Sequence, residues 1–376
     1  MRPEKWRGTQ NFLQPNGEKM MQNLTNILII LLFITACSPS NVDDNTITIG
    51  AALPLTGIAS IHGQNERQGI DLAVKEINRD GGIEGHPVKM IYEDDASNPS
   101  SSLTAIKKLI EVDDVKIIIG GTWDILANVA IPEIDKKKVI LISPSALPDT
   151  ITESSPYFFS VHSPVAINEK VFEQFLSNVK GKRVGAIVVN NPWGLAHLNA
   201  FKKAINATGE TLVEERILQN FDNNDLSTEL TRFTDQNLDA IFVTLNFNDM
   251  STFAKKRNEL GMMSIPVLAH SNFESSIEAG RIPPSLSKGV TIFRFSEPSK
   301  KFVETFKNEY GQSPEIYTDT GYDAVYAIKF AREKGGEGVQ DMINGLHEIN
   351  FSGASGIIYF GDKNYPGNKQ PLLQEL

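Results

Sequence analysis

Two runs, Val115-Lys116-Ile117-Ile118-Ile119 and Val139-Ile140-Leu141-Ile142, are aliphatic almost without a break. A strand with one wet face alternates apolar and polar residues. A strand that is apolar at consecutive positions is covered on both faces, as in a parallel sheet sandwiched by helices. The neighbouring segments fit that reading. Thr46–Leu53 and Val88–Tyr92 read as strands, and Ile70, Ala73, Val74 and Ile77 recur at helical spacing between them. Asp80-Gly81-Gly82 stops that helix. Ser100 or Ser101 is expected to cap a helix carrying Leu103, Ile106, Leu109 and Ile110, and a further helix is expected over 125–135. Strands alternating with helices at this spacing predict βαβ units with right-handed crossovers.

The pattern then restarts. After a helix near 165–179, strands are expected at 183–189, 211–218, 240–244, 266–269 and 289–293, with helices over 195–207, 226–233 and 249–260 between the first four. Helices near 300–309 and 322–332 follow, and residues 370–376 read as a short last strand. The expectation is an α/β chain of two doubly wound units, consistent with 376 residues.

The N-terminal region reads differently. Ile27-Leu28-Ile29-Ile30-Leu31-Leu32-Phe33-Ile34 is too short to span a bilayer as a helix but suits the apolar part of a signal peptide. Ile34-Thr35-Ala36-Cys37 follows directly and resembles a bacterial lipobox, in which the cysteine is acylated and becomes the new N-terminus. Residues 1–37 are thus expected to be a lipoprotein signal peptide with its acylated Cys37, and residues 38–45 a flexible tether. Met20-Met21 reads as a second candidate start. Cys37 is the sole cysteine, so both units must be stable by packing alone.

Composition and motifs exclude several classes. The formal net charge is −10, and no basic stretch carries interleaved aromatics, so nucleic acid is not an expected partner. The histidines show no HExxH or HxH spacing and there is no second cysteine, so no metal and no cofactor are expected. No GxSxG elbow, P-loop or GxGxxG turn occurs, and no enzyme activity is expected. Adjacent acids such as Asp94-Asp95 read as solvated or capping.

In doubly wound sheets, ligands meet the loops beyond the carboxyl ends of the strands. Three such loops carry candidates: Gly120-Gly121-Thr122-Trp123-Asp124, Ser143-Pro144-Ser145-Ala146-Leu147 and Asn191-Pro192-Trp193-Gly194. Asp124 also suits a helix N-cap, the second loop also reads as a Pro-punctuated turn, and Trp193 also reads as a buried support for its loop.

The opening segment, Thr56-Gly57, Gly63, and Gly69-Ile70-Asp71-Leu72-Ala73-Val74-Lys75-Glu76-Ile77-Asn78-Arg79-Asp80-Gly81-Gly82-Ile83-Glu84-Gly85-His86-Pro87, resembles the signature of the branched-chain amino acid (leucine/isoleucine/valine) binding protein family of ABC importers. Tyr92-Glu93-Asp94-Asp95, Ile118-Ile119-Gly120, Ile142-Ser143-Pro144, Trp193-Gly194, Asp239-Ala240-Ile241 and Tyr322-Asp323-Ala324 follow in the family's order. The resemblance covers about residues 46–370.

It implies the type I periplasmic binding protein fold: two Rossmann-like lobes joined by three hinge crossings, here near 162–164, 293–295 and 361–365. Lobe 1 would hold residues 46–163 and 295–361, and lobe 2 residues 164–294 and 362–376. It also implies a ligand site. The family's α-carboxylate contacts, often Ser-Ser, fall on Trp123 and Asp124. Its Ala-x-Thr falls on Ser145, Ala146 and Leu147, with the Thr missing. An aromatic over the ligand falls on His62, the Tyr of Tyr-Gly on Trp193, and a further aromatic on Asn246-Phe247. The acid that pairs with the ligand's ammonium falls on Ser271 or Asn272.

Such a site should reject simple branched-chain amino acids, because a buried ammonium without a carboxylate is unfavourable by several kcal/mol, roughly. An aromatic or amide-like solute, or a cation paired with Asp124, fits better. The resemblance implies a monomeric solute-binding lipoprotein that captures a small-molecule ligand by two-lobe closure and delivers it to an ABC permease. It would sit in the periplasm or at the cell surface, attached to the membrane through the lipid on Cys37. A sensor reporting to a receptor or kinase, or a structural lipoprotein without ligand, are the alternatives.

Overall fold

The computed structural model describes residues 46–147, 149, 151, 155–179, 181–220, 222–366 and 371–376. The apolar run 27–34, Met20-Met21, Cys37 and the tether lie outside the described residues. Ile47–Leu376 forms one compact unit.

The first sheet is built from β1 (Ile47–Leu53), β2 (Val88–Asp94), β3 (Ile117–Gly120), β4 (Ile140–Ser143) and β5 (Phe158–Ser160), in the order β2-β1-β3-β4-β5. Every pairing in it is parallel. Between these strands run α1 (Ser60–Arg79), α2 (Pro99–Glu111), α3 (Asp124–Asn128) and α4 (Ile131–Lys137). The aliphatic runs do what their continuity requires. Ile117, Ile119, Ile140 and Ile142 pack on one face, while Ile118 and Leu141 pack on the other.

The second sheet begins with α5 (Glu169–Asn178) and continues through β6 (Arg183–Val189), α6 (Pro192–Thr208), β7 (Thr211–Leu218), α7 (Ser227–Thr234), β8 (Ala240–Thr244), α8 (Phe247–Glu259), β9 (Val267–His270), α9 (Asn272–Glu278) and β10 (Val290–Phe295). Its core on the α5–α6 side is aromatic: Phe201 stacks on Phe242 at 4.3 Å, and Phe172 meets Phe293 edge-on at 4.8 Å.

The chain then returns to the first sheet as α10 (Lys300–Tyr310), α11 (Thr318–Gly335) and α12 (Val339–Glu348), followed by a hairpin of β11 (Asn350–Ser352) and β12 (Ile357–Tyr359). Helices α11 and α12 cover the same face as α1. A last strand, β13 (Pro371–Glu375), pairs antiparallel with β10, giving the order β13-β10-β9-β8-β6-β7. The segment before β13 still lies along β5: the Asn364 carbonyl accepts from the Ser160 amide, and its side chain donates to the Phe158 carbonyl.

Two helices differ from expectation. The helix expected over 125–135 is two, α3 and α4, with Pro132 in the first turn of α4. Proline has no N–H to offer the carbonyl four residues back, so the first helix cannot run through it. Helix α2 is capped not by Ser100 or Ser101 but by Asn98, whose side chain accepts from the amides of both serines. Helix α1 approaches α11 closely through two glycines. A Cβ on Gly69 would lie 1.9 Å from the Thr318 carbonyl oxygen, and one on Gly321 2.5 Å from that of Glu66. That approach brings residues 62–66 against the start of α11.

Candidate functional site

The carboxyl ends of both sheets face a common cleft. From the first sheet's side come α1 and the loops after β3 and β4. His62 and Glu66 lie one helical turn apart on α1 and share a face. The Glu66 carboxylate is fully buried and accepts the hydroxyls of Thr122 and Ser145, each at 2.6 Å. It thereby ties the β3 loop to the β4 loop. Desolvation, with a smaller push from Asp95, raises its pKa to about 7 against the pull of the two hydroxyls.

Trp123 has φ 67° and ψ 152°. This backbone region belongs essentially to glycine, and occupying it costs roughly 1–3 kcal/mol. The indole Nε1 donates to His62 Nδ1 at 3.1 Å. The next residue, Asp124, opens α3; its Oδ1 accepts the Leu147 amide at 2.7 Å. It is only 4% exposed, and burial raises its pKa to about 7.

His62 is the hub of a group of rings. Trp123 lies 5.5 Å away and Tyr317 5.0 Å away, both edge-on, and Phe247 lies 6.0 Å away. Phe247 begins α8 and therefore reaches His62 from the second sheet. Arg281, exposed, sits over the Phe247 ring at 5.3 Å. Burial lowers the His62 pKa to about 4, so the ring is neutral.

The second sheet's wall is neutral and aromatic. Trp193 meets His270 at 5.0 Å and His197 at 5.4 Å, both edge-on. The His197 ring donates through Nδ1 to the Trp193 carbonyl, and burial lowers its pKa to about 4. His270 is held well below its usual value, first by desolvation and then by His197. His162, on the stretch leaving β5, packs edge-on against Phe295 at 5.0 Å.

The structure thus brings His62, Trp123, Asp124, Ser145 and Phe247 together, with Trp193 on the second wall. Others of the expected residues are turned away. Ala146 is buried in the core beside α2–α4; its amide donates to Ser143 Oγ and its carbonyl accepts from Ser160. Asn272 uses its side-chain amide on the Leu245 carbonyl. Ser271 and Asn246 stand half-buried before α9 and α8. Leu147, where the family's Thr would stand, is buried in the aromatic core of the second sheet.

Sequence reasoning missed Glu66 and Tyr317. Glu66 sits four residues before the apolar stripe of α1, and its spacing from His62 was the available signal. Tyr317 precedes α11, far from His62 in sequence, and only the α1–α11 approach delivers it. Among the described residues no group of three or more His, Cys, Asp or Glu could hold a metal ion. Two surface depressions of about 300 Å³ each, beside β7 and beside α2, include none of these residues.

The arrangement of two sheets, three passages of chain between them and a ring-lined cleft is that of a two-lobed binding protein. A family model described as periplasmic binding protein matches residues 46–372, and the chain belongs to that family. A Leu/Ile/Val-binding protein homolog of Brucella melitensis is 26% identical over 300 residues, 77% of this chain and 79% of the relative. Two solved structures share the fold. One is a branched-chain amino acid transporter substrate binding protein of Streptococcus pneumoniae in complex with isoleucine (TM-score 0.77, 21% identity, 88% of this chain and 96% of that one). The other is a solute binding protein of an ABC transporter of Rhodopseudomonas palustris in complex with 3,4-dihydroxybenzoic acid (TM-score 0.77, 24% identity, 88% and 93%). The fold is the type I periplasmic binding protein fold.

Proposed function

We propose that this chain is the solute-capture subunit of an ABC importer, an extracytoplasmic lipoprotein anchored through a lipid on Cys37. It binds and does not catalyse, and it works as a monomer. Residues 46–163 with 295–361 act as one lobe and 164–294 with 362–376 as the other. Closure buries a small amino-acid-like, amide or aromatic solute and presents the closed form to a permease. The solute drives closure only as far as it binds the closed state better than the open one.

The observation that carries this reading is the contact of His62 with Phe247, two rings delivered to one cleft by helices packed on different sheets. The strained Trp123 backbone beside them supports it, since such strain gathers at functional sites. The relatives' names and bound solutes support the solute class. The lipid anchor rests on the residues of the lipobox. Mass spectrometry of the protein purified from membranes tests it: a diacylated or triacylated Cys37 at the N-terminus is expected, and an unmodified precursor would contradict it. Titration with a panel of amino acids, amides and aromatic acids tests capture, with saturable one-site binding expected.

A further inference from the structure

We propose that the solute is a small organic cation that also carries a neutral oxygen, held among the rings of His62, Trp123, Tyr317 and Phe247 and balanced by the carboxylates of Glu66 and Asp124. This rests on the solute-capture reading and narrows its solute to a cation in place of a neutral amide or an aromatic acid.

The charge inventory points this way. Glu66 is fully buried and Asp124 4% exposed, and neither has a basic side chain as hydrogen-bond partner among those described above. Among the described residues the only buried Lys or Arg is Arg257. It binds the carbonyls of Met263, Ile265 and Lys288, at the edge of the second sheet opposite the cleft. Arg281, at the cleft margin, is exposed and already engages the Phe247 ring. A carboxylate solute would therefore enter beside two buried acids without a buried cation to receive it, which is strongly unfavourable. A cation reverses the sign: the acids supply its counter-charge, and the ring faces attract it.

The neutral oxygen is read from Asn65. It is 8% exposed, its side-chain N–H group has no partner, and it lies three residues from His62, on the same side of α1. A buried donor of this kind is satisfied by a hydroxyl or carbonyl on the solute.

A proton linkage follows. Glu66 faces Thr122, Ser145 and, through space, Asp95; Asp124 faces the Leu147 amide and, through space, Asp149; Tyr317 faces both acids. The imidazoles of His62 and His270 are neutral. Nothing in this set supplies positive charge near neutral pH. Cation binding should therefore ionise the acids, release protons, and strengthen by about tenfold per carboxyl from pH 6 to pH 8.

The test is calorimetry on the full chain in detergent with choline, putrescine, leucine, 4-hydroxybenzoate and benzamide, at pH 6 and pH 8. Choline or putrescine binding, tighter at pH 8 and with proton release, is the expected result. Glu66→Gln keeps a carbonyl oxygen to accept from one hydroxyl and turns an NH2 to the oxygen of the other, and should lose at least tenfold in cation affinity. Asp124→Asn should do the same while keeping its bond to Leu147, so a folding defect in one variant leaves the other. Binding of leucine, 4-hydroxybenzoate or benzamide in preference to both cations would overturn the cation assignment and leave solute capture standing. Cation affinity that does not change with pH or with both substitutions would also overturn it. Binding by no member of the panel would overturn the assignment and count against capture itself.

Discussion

The two walls of the cleft are built alike but charged differently. The first sheet's wall holds two buried acids that hydrogen-bond the loops after β3 and β4, and a strained tryptophan bonded to a histidine. The second sheet's wall holds Trp193, His197 and His270, neutral rings packed edge-on, with His197 donating to the Trp193 carbonyl and His270 Nδ1 accepting the Asn272 amide. The first wall is thus a charged, hydrogen-bonded lattice in which each member supports another. The second is a set of apolar faces that can be altered singly. Losses on the first wall should appear in stability as well as binding; losses on the second should appear mainly in binding.

The largest expected effect breaks the lattice. Glu66→Ala leaves the buried hydroxyls of Thr122 and Ser145 without their acceptor, which should lower stability by about 2–5 kcal/mol. Denaturant unfolding measures this, and a loss under about 1 kcal/mol would mean that the loops are held otherwise. Trp193→Ala, on the opposite wall, should weaken ligand binding by about tenfold or more with a much smaller loss of stability. Unchanged affinity would remove Trp193 from the site.

Trp123→Gly separates the two quantities on one residue. It relieves a backbone strain of roughly 1–3 kcal/mol while deleting the indole and its bond to His62. The melting temperature should change little while binding weakens at least tenfold; a large drop in melting temperature would place Trp123 in the structural lattice only.

The pH dependence is smaller and has a definite sign. Glu66, Asp124 and Asp323 have folded pKa values raised to about 7, and Asp95 to about 6. Their contribution is fully present below the unfolded carboxylate range and is lost as pH rises through the folded values. His62 and His197, lowered to about 4, act oppositely, since the unfolded state takes up their protons below about pH 6.5. The two effects oppose each other between about pH 4 and 6.5 and leave the acids alone above it. The ligand-free protein should lose melting temperature from pH 6.5 to 8, and Glu66→Gln should flatten that slope. Arg281→Ala should change affinity least, under about threefold, because its contact with Phe247 is exposed.

Much of the fold was legible because it is written in periodicity. The strand over 211–218 has the expected bounds, and the aliphatic runs divide between the two faces of the first sheet. The hinge-side strand β5 and the helix α9, three and seven residues long, are too short for a period to develop. Helix α12 was legible in principle: Val339, Met342, Ile343 and Leu346 stand at helical spacing. The site was half legible. Loops after strands gave Trp123, Asp124 and Trp193, because strand ends are local signals. Glu66 was announced only by its helical spacing from His62, while Tyr317 depends on the close approach of α1 to α11, which two glycines permit and no local pattern announces.

Capture as proposed requires the two lobes to close about the solute. Spin labels at Lys136→Cys and Asn258→Cys, in a Cys37→Ser background, place one probe in each proposed lobe at exposed positions. Double electron–electron resonance should give a broad or long distance without solute and a narrow, shorter one at saturating solute, with Trp193→Ala shifting the midpoint to higher concentration. A distance distribution that is identical with and without a solute bound at saturation would contradict capture by closure.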